Sequence, residues 1–402
     1  MKEINKNEIK KIKAKEFGRI LYGAAFLGSG GGGMISAGEK FIKEILSTVD
    51  HVDLVLFPIS DDIKSNAACV VCDIGSITAL DPMQSTALKF AFDHLSANFK
   101  DKLGEIKFVF PIETGPENTL AAFVLASKYR IPVIDGDGAA RAIPTLPLCT
   151  FSVEKVAIAE PVVISNGIGE LMLVFNHQNG KGIENLVRAI AGLKNYANSA
   201  SLALWPGSVN ELSDKCIQGS ITSALFCGQL LEGIRNNDES LIKESIDQVN
   251  QLDGYLIGMG PVISKIEEET GAFNFTTTVI KNKIDRHNLT VLSQNESLIV
   301  FNDSSLGPVS MAPDSICYLK SDFFPCTNAE IKTTTEEDST GKQRLYLIGV
   351  KPHQKLMHPE IQEGFRKIIR ELGYAGKMDI KTPDAKPLGD LFMELKKGPS
   401  LL

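Results

Sequence analysis

Between residues 52 and 134 the chain alternates short apolar runs of strand length with runs of helical period, and this constrains the fold more than any other feature. The strand-type runs are 52–57, 69–74, 107–111 and 131–134, with helical segments at 85–97 and 118–129 between them. Strands buried on both faces read as continuous β-branched runs, and their alternation with helices predicts a mainly parallel sheet covered on both sides. Ahead of this region, Phe17, Ile20, Leu21, Ala24 and Ala25 keep helical spacing until a glycine run interrupts them, and a second amphipathic helix covers 36–46. The basic run at 10–15 continues into the first helix and reads as its solvated side.

The pattern changes near residues 150–170. Runs at 153–158 and 162–164 are β-branched, and Asn166-Gly167 is a turn signal. Helices are expected at 182–197, 220–235 and 239–247, followed by short strands from 255 to 319. Residues 333–342 read as a polar hairpin loop, 344–351 as one more strand, and 359–372 as a final helix ending at Gly373. With 402 residues, two cores are expected. The fold class is α/β, with an N-terminal α/β domain over 1–164 and a C-terminal β-rich α+β domain over 165–402, whose last helix can pack back on the first domain.

Net charge is −7 and the isoelectric point is near 5.6, which argues against a nucleic-acid partner. The start MKEINKNEIKK lacks the apolar core of a signal peptide, and no apolar stretch is long enough to span a bilayer, so no membrane partner is expected. Seven cysteines, odd in number and set in apolar contexts, suit reduced thiols and a cytoplasmic protein. The apolar content is compatible with a homodimer.

Gly28, Ser29, Gly30, Gly31, Gly32 and Gly33 lie between two helical segments. Glycines permit positive φ and close backbone approach, and a following helix N-terminus favours an anion. A dinucleotide fingerprint needs a strand before the loop and a Walker loop needs Lys-Ser or Lys-Thr after it. Neither occurs, so no nicotinamide or flavin is expected, and the loop is read as contacting a small-molecule substrate.

Two segments place polar residues directly after an apolar strand: Glu113, Glu117 and Asn118 after 107–112, and Asp135, Asp137 and Arg141 after 131–134. Ligands collect beyond the carboxyl ends of parallel strands. Glu113, Asp135 and Asp137 could orient water, Asp135 and Asp137 could hold a divalent metal, and Arg141 offers a fork for a carboxylate. In the bland alternative, the two aspartates cap the turn and Arg141 pairs with one of them. Cys69 and Cys72 form a CxxC inside a strand, where residues three apart face opposite sides, so they read as core thiols. His353 and His358 flank a helix start without recognisable zinc spacing, and Trp205 reads as a packed aromatic.

These motifs together, GAAFLGSGGGG, PIETGPENT, VIDGDGAARAIP, GSITSALFCGQLL and QNESLIVFND followed by MAPDSI, stand in an order that resembles the S-methyl thiohydantoin desulfurase-like proteins, a family linked to hydantoinase/oxoprolinase systems. The resemblance runs from about Gly23 to about Leu319. The chain departs from it at Gly115-Pro116-Glu117-Asn118, where the family carries two glycines, and at Ala140, where a glycine is common. The resemblance implies hydrolytic removal of a sulfur substituent from a cyclic ureide. It brings Asn295 and Glu296 beside Asn118 and the glycines as ligand-binding residues. Two other functions stay open: a non-catalytic protein that binds a nucleotide or anionic metabolite, and a subunit of a hydantoinase/oxoprolinase-like amide hydrolase.

Overall fold

A computed structural model describes residues 8–79, 84–153, 161–175, 181–284, 287–303, 307–334, 344–380 and 382–398. The first sheet has eight strands in the order β1 (Ile9–Ile12), β2 (Val52–Val55), β5 (Val133–Ile134), β4 (Ile106–Pro111), β3 (Ala67–Gly75), β9 (Ser199–Ser208), β7 (Val162–Ser165) and β8 (Leu171–Val174). The strands β2, β5, β4 and β3 are parallel. The flanking strands β1, β9, β7 and β8 pair antiparallel, so the sheet is mixed around a parallel centre. It also runs past residue 164, since β8 and β9 come later in the chain. Most of residues 153–158 and all but the first two residues of 333–342 lie outside the described residues.

Strand β3 shows why these runs are strands. Cys69 and Val71 point into a layer built by α1 (Ala14–Leu27), α2 (Ile35–Thr48), α4 (Gln84–Leu103) and α5 (Asn118–Tyr129). Ala68, Val70 and Cys72 point into the opposite layer, beside Phe151, Val187, Trp205 and Phe365. Both faces bury apolar side chains, so no polar alternation survives in the sequence. The short helix α3 (Asp61–Lys64), α6 (Lys181–Ala191) and α7 (Val209–Lys215) cover that second face.

The basic run at 10–15 is not the side of a helix. Residues Ile9–Ile12 form an edge strand on β2, and the helix begins at Ala14. Ile12 is fully buried, which a solvated helix flank would not allow.

In the second half, β18 (Pro325–Cys326), β17 (Ser315–Lys320), β19 (Leu345–Val350), β11 (Asp253–Gly260) and β20 (Lys386–Pro387) form one sheet. A second is β12 (Val262–Thr270), β13 (Phe273–Lys281), β14 (Asn288–Gln294), β15 (Glu296–Asn302) and β16 (Ser310–Met311). They pack face to face through Tyr255, Ile316 and Leu347 on one side and Ile280, Leu289 and Val300 on the other. A two-stranded ribbon joins β10 (Ile217–Gln218) to β6 (Gly136–Asp137).

Helix α8 (Ser220–Asn236) packs on α1, and α9 (Glu239–Val249) packs on α8. Helix α10 (Pro359–Glu371) sends Phe365 and Ile369 into the core of the first sheet. A further helix, α11 (Leu388–Lys397), was not anticipated from the sequence. Its Leu388, Leu391, Phe392 and Leu395 are buried at helical spacing, and Phe392 meets Phe26 edge-on at 5.1 Å. Among the described residues no helix is long and apolar enough to cross a membrane.

Helices α1 and α8 touch backbone to backbone. A Cβ on Gly23 would lie 1.7 Å from the Ala224 carbonyl oxygen, and one on Gly228 would lie 1.9 Å from that of Arg19. Neither position can take a side chain without separating the helices. Gly228→Ala should therefore destabilise by about 2 kcal/mol or more. Gly18→Ala in the same α1 helix, where a Cβ meets nothing within 4 Å, should stabilise by about 0.5–1 kcal/mol. Urea unfolding followed by circular dichroism reads both.

Candidate functional site

Beyond the carboxyl ends of the paired strands β3 and β4 lies an open cleft with a cavity volume of about 60 Å³. Its walls come from the end of β3, the loop from β4 to α5, the glycine run, helix α6 and the start of β15. Glu113 and Glu296 reach it from opposite halves of the chain and are 4% and 2% exposed.

Glu113 follows β4 and is held at both oxygens. Its Oε1 accepts from Asn118 Nδ2 at 2.6 Å and its Oε2 accepts from the Ile143 N–H at 2.7 Å. Asn118 opens α5, and its Oδ1 accepts from the Asp73 N–H at 2.8 Å, which fixes which end of the amide faces Glu113. Burial and then the charge of Glu296 push the Glu113 carboxyl well above the usual carboxylate range.

Glu296 opens β15, and the Gly32 N–H donates to it. Its Oε2 is buried and has no hydrogen-bond partner among the described residues. Burial lifts its carboxyl to about 7, while Arg141 and Arg188 pull in the opposite direction.

The glycine run is explained by this packing. A Cβ on Gly31 would sit 2.2 Å from Glu296 Oε1, and one on Gly33 would sit 2.2 Å from Glu117 Cβ. Gly32, at φ +72°, lets its loop touch Gly115. Gly32 and Gly33 line the cleft, whereas Gly28, Ser29, Gly30 and Gly31 form the buried stem behind it. A Cβ on Gly30 would meet the Asn328 side chain at 2.8 Å. Ser29 has no exposed surface. Its Oγ donates to the Ser297 carbonyl at 3.1 Å and accepts from the Ile316 N–H at 2.9 Å.

Arg141 lies behind the cleft and does not line it. It is 1% exposed, and Nε donates to the Ala142 carbonyl at 2.8 Å. Nη1 donates to the carbonyls of Pro313 and Asp314 at 3.0 and 2.9 Å. Nη2 donates to Ser29 Oγ and the Ser297 carbonyl at 3.0 and 3.3 Å. All five N–H groups are committed, and none is left for a substrate carboxylate. Burial lowers this guanidinium to about 10.

Asp135 and Asp137 are each bound by their own set of donors. Asp135 accepts from the Thr222 N–H and hydroxyl at 3.0 and 2.6 Å, in the first turn of α8. Asp137 accepts from Thr114 Oγ1 at 2.5 Å and from the N–H groups of Ala139 and Ala140 at 2.8 and 2.6 Å. Each carboxylate is held by hydrogen bonds from neighbouring turns. Among the described residues no group of three or more His, Cys, Asp or Glu has an arrangement that could hold a metal ion.

Asn295, at φ +58°, braces the cleft wall. Its Nδ2 donates to the Gly75 carbonyl at 2.9 Å and its Oδ1 accepts from the Asn274 N–H at 2.8 Å. His353 accepts from the Lys355 N–H and caps a short helical turn, and His358 accepts from the Glu360 N–H and caps α10. Cys69 and Cys72 lie in different core layers, and Cys72 borders the cleft. Trp205 packs on Phe151 at 5.7 Å.

Two cleft residues escaped the sequence reading. Asp73 lies inside the apolar run of β3 and bonds to Ser201 Oγ; an acid at the end of a buried-type strand was the available signal. Arg188 on α6 pairs with Glu184 at 2.7 Å and stacks on Phe273 at 4.1 Å. Only the Glu184–Arg188 spacing of one helical turn hinted at it.

The N-terminal domain of the S-Me-THD-like family matches residues 15–176, and its C-terminal domain matches residues 177–363. No curated protein matches the chain. A crystal structure of a protein from Chromobacterium violaceum superposes with a TM-score of 0.75 at 21% identity, covering 92% of this chain and 99% of that one, a likeness of fold. Two consecutive family domains thus account for nearly all of the sequence, and the chain belongs to the S-Me-THD-like family.

Proposed function

We propose that the protein is an enzyme that hydrolyses a small cyclic ureide of the S-methyl thiohydantoin type and releases a thiol. The observation that carries this reading is the pair of buried, mutually repelling carboxylates, Glu113 and Glu296, in one cleft. The family description points to the same substrate class.

Such a substrate presents an electron-poor C=N carbon that carries the methylthio group. Two buried carboxyls that repel each other cannot both ionise cheaply, so their environments separate their roles. Glu113, raised by burial and by the charge of Glu296 and held at both oxygens, is assigned the role of acid. Glu296, held near neutrality by Arg141 and Arg188, acts as the base. Glu296 takes a proton from water as the oxygen attacks carbon, and Glu113 delivers its proton to the departing sulfur. The C–S bond breaks and a C–O bond forms. The hydroxyl hydrogen then shifts from the new oxygen to the ring nitrogen as the C=O forms, and Glu296 returns its proton to Glu113 through solvent, so the net change is one water split between the ring N–H and the thiol S–H. Asn118 and the Ile143 N–H orient the acid, and Gly32 orients the base.

Incubation with S-methyl thiohydantoins should release methanethiol, read with a thiol reagent. Glu113→Gln and Glu296→Gln should each lower kcat at least about 100-fold, the usual worth of a general acid or base, with circular dichroism unchanged. No thiol from any analogue, or full activity in both variants, removes this mechanism. For the wild type, log kcat/KM should rise with pH up to about 7, where Glu296 becomes ionised.

Stability should follow the same group. The folded Glu296 carboxyl titrates at about 7 against an ordinary 4.5. Its burial penalty is therefore absent below 4.5, grows as pH rises and is complete above 7. Glu296→Gln should raise Tm most at pH values above 7 and lose that advantage as pH falls toward 4.5. Thermal melts across this range check the sign.

A further inference from the structure

We infer that the cleft selects substrates by charge, taking ring substituents that are neutral or cationic and rejecting anionic ones. This rests on the hydrolytic reading above for its chemistry, but on the cleft's own donors and charges for its direction.

The first observation is what faces the cleft. Asp73, Glu113, Glu117 and Glu296 line it, and Arg188 is the cationic side chain among its described lining residues. Arg188 is largely occupied. Its Nε meets Glu184 at 2.7 Å, Nη1 donates to the Gly75 and Ala272 carbonyls at 3.4 and 3.1 Å, and Nη2 donates to the Pro144 carbonyl at 2.9 Å. Its charge is balanced by Glu184, which is itself buried.

The second observation concerns backbone donors, which would normally make a glycine loop beside a helix start an anion site. Here the Gly31 N–H goes to the Gly28 carbonyl at 2.9 Å and the Gly32 N–H goes to Glu296. The N–H groups of Glu117 and Asn118, at the start of α5, donate to the Gly32 carbonyl at 3.0 and 3.3 Å. The protein has already placed its own carboxylate and carbonyl where a substrate anion would bind.

The third is Glu296 Oε2, buried, without a partner among the described residues and bordering the cleft. Such an oxygen accepts from a ring N–H or an ammonium group and repels a carboxylate. A bound anionic substituent would face the Asp73, Glu117 and Glu296 side chains, and among the described lining residues the charged donor left to it is the second Nη2 N–H of Arg188.

The test uses the wild-type protein and three S-methyl thiohydantoins that differ at one ring carbon: aminobutyl, butyl and carboxypropyl. The carboxypropyl compound should show a kcat/KM at least about tenfold below the butyl one, the aminobutyl compound should equal or exceed it, and added salt should narrow the spread. Turnover of the carboxypropyl compound as fast as the butyl one overturns the inference. The corresponding hydantoins, already free of sulfur, separate the two claims by calorimetric binding. If none of the three thiohydantoins yields thiol but the hydantoins bind in the same charge order, hydrolysis falls and charge selection stands. If the carboxypropyl hydantoin binds as tightly as the others, or none binds, charge selection falls.

Discussion

Arg141 brings a full charge into a region of the protein that water barely reaches, and five N–H groups must find acceptors there. They find them on Ser29, Ala142, Ser297, Pro313 and Asp314, segments spread from the first helix's end to the second half's strands. A guanidinium in this setting is strongly held because releasing any one carbonyl would strand a buried donor. Its position fixes the glycine stem against β15, and β15 begins with Glu296. The cleft's second carboxylate is therefore placed by the same group that joins the halves. The charge also lowers the energy of an ionised Glu296 without touching the cleft itself.

The glycine run is the other half of that arrangement. Its residues act less as a flexible wrapper than as missing side chains, leaving the space that Glu296, Glu117 and Asn328 fill. One of its N–H groups is spent on a carboxylate of the protein. A loop whose composition suggests anion binding has here become part of an acidic wall.

How much of this was legible in the sequence follows from which interactions are local. The strands β2, β3 and β4, helix α5 and the β-rich second half were readable, because burial on both faces and helical spacing are written in consecutive residues. Glu113 was readable too, as a polar residue at a parallel strand's end. Asp135, Asp137 and Arg141 carried the same signature and serve as caps and a tie. The difference lies in Thr222, Thr114 and the Pro313–Asp314 turn, far away in sequence. Strand β1 was lost because a four-residue edge next to lysines resembles the flank of a helix. Helix α11 was lost because its apolar stripe is short and follows an irregular stretch. The pairing of Glu113 with Glu296 spans 183 positions, and no local pattern encodes it.

Strand β9 has a bearing on how the molecule is assembled as it is made. It lies between β3 and β7, yet it is the last of those three to be synthesised. Until residues 199–208 arrive, the parallel centre and the β7–β8 hairpin are separate pieces, and β3 presents an open edge of backbone donors and acceptors. The insertion of β9 closes that edge and joins both pieces at once. The N-terminal family domain, matched only to residue 176, ends before this strand. Its sheet is completed by chain that belongs to its neighbour, so residues 15–176 alone do not hold every strand of it.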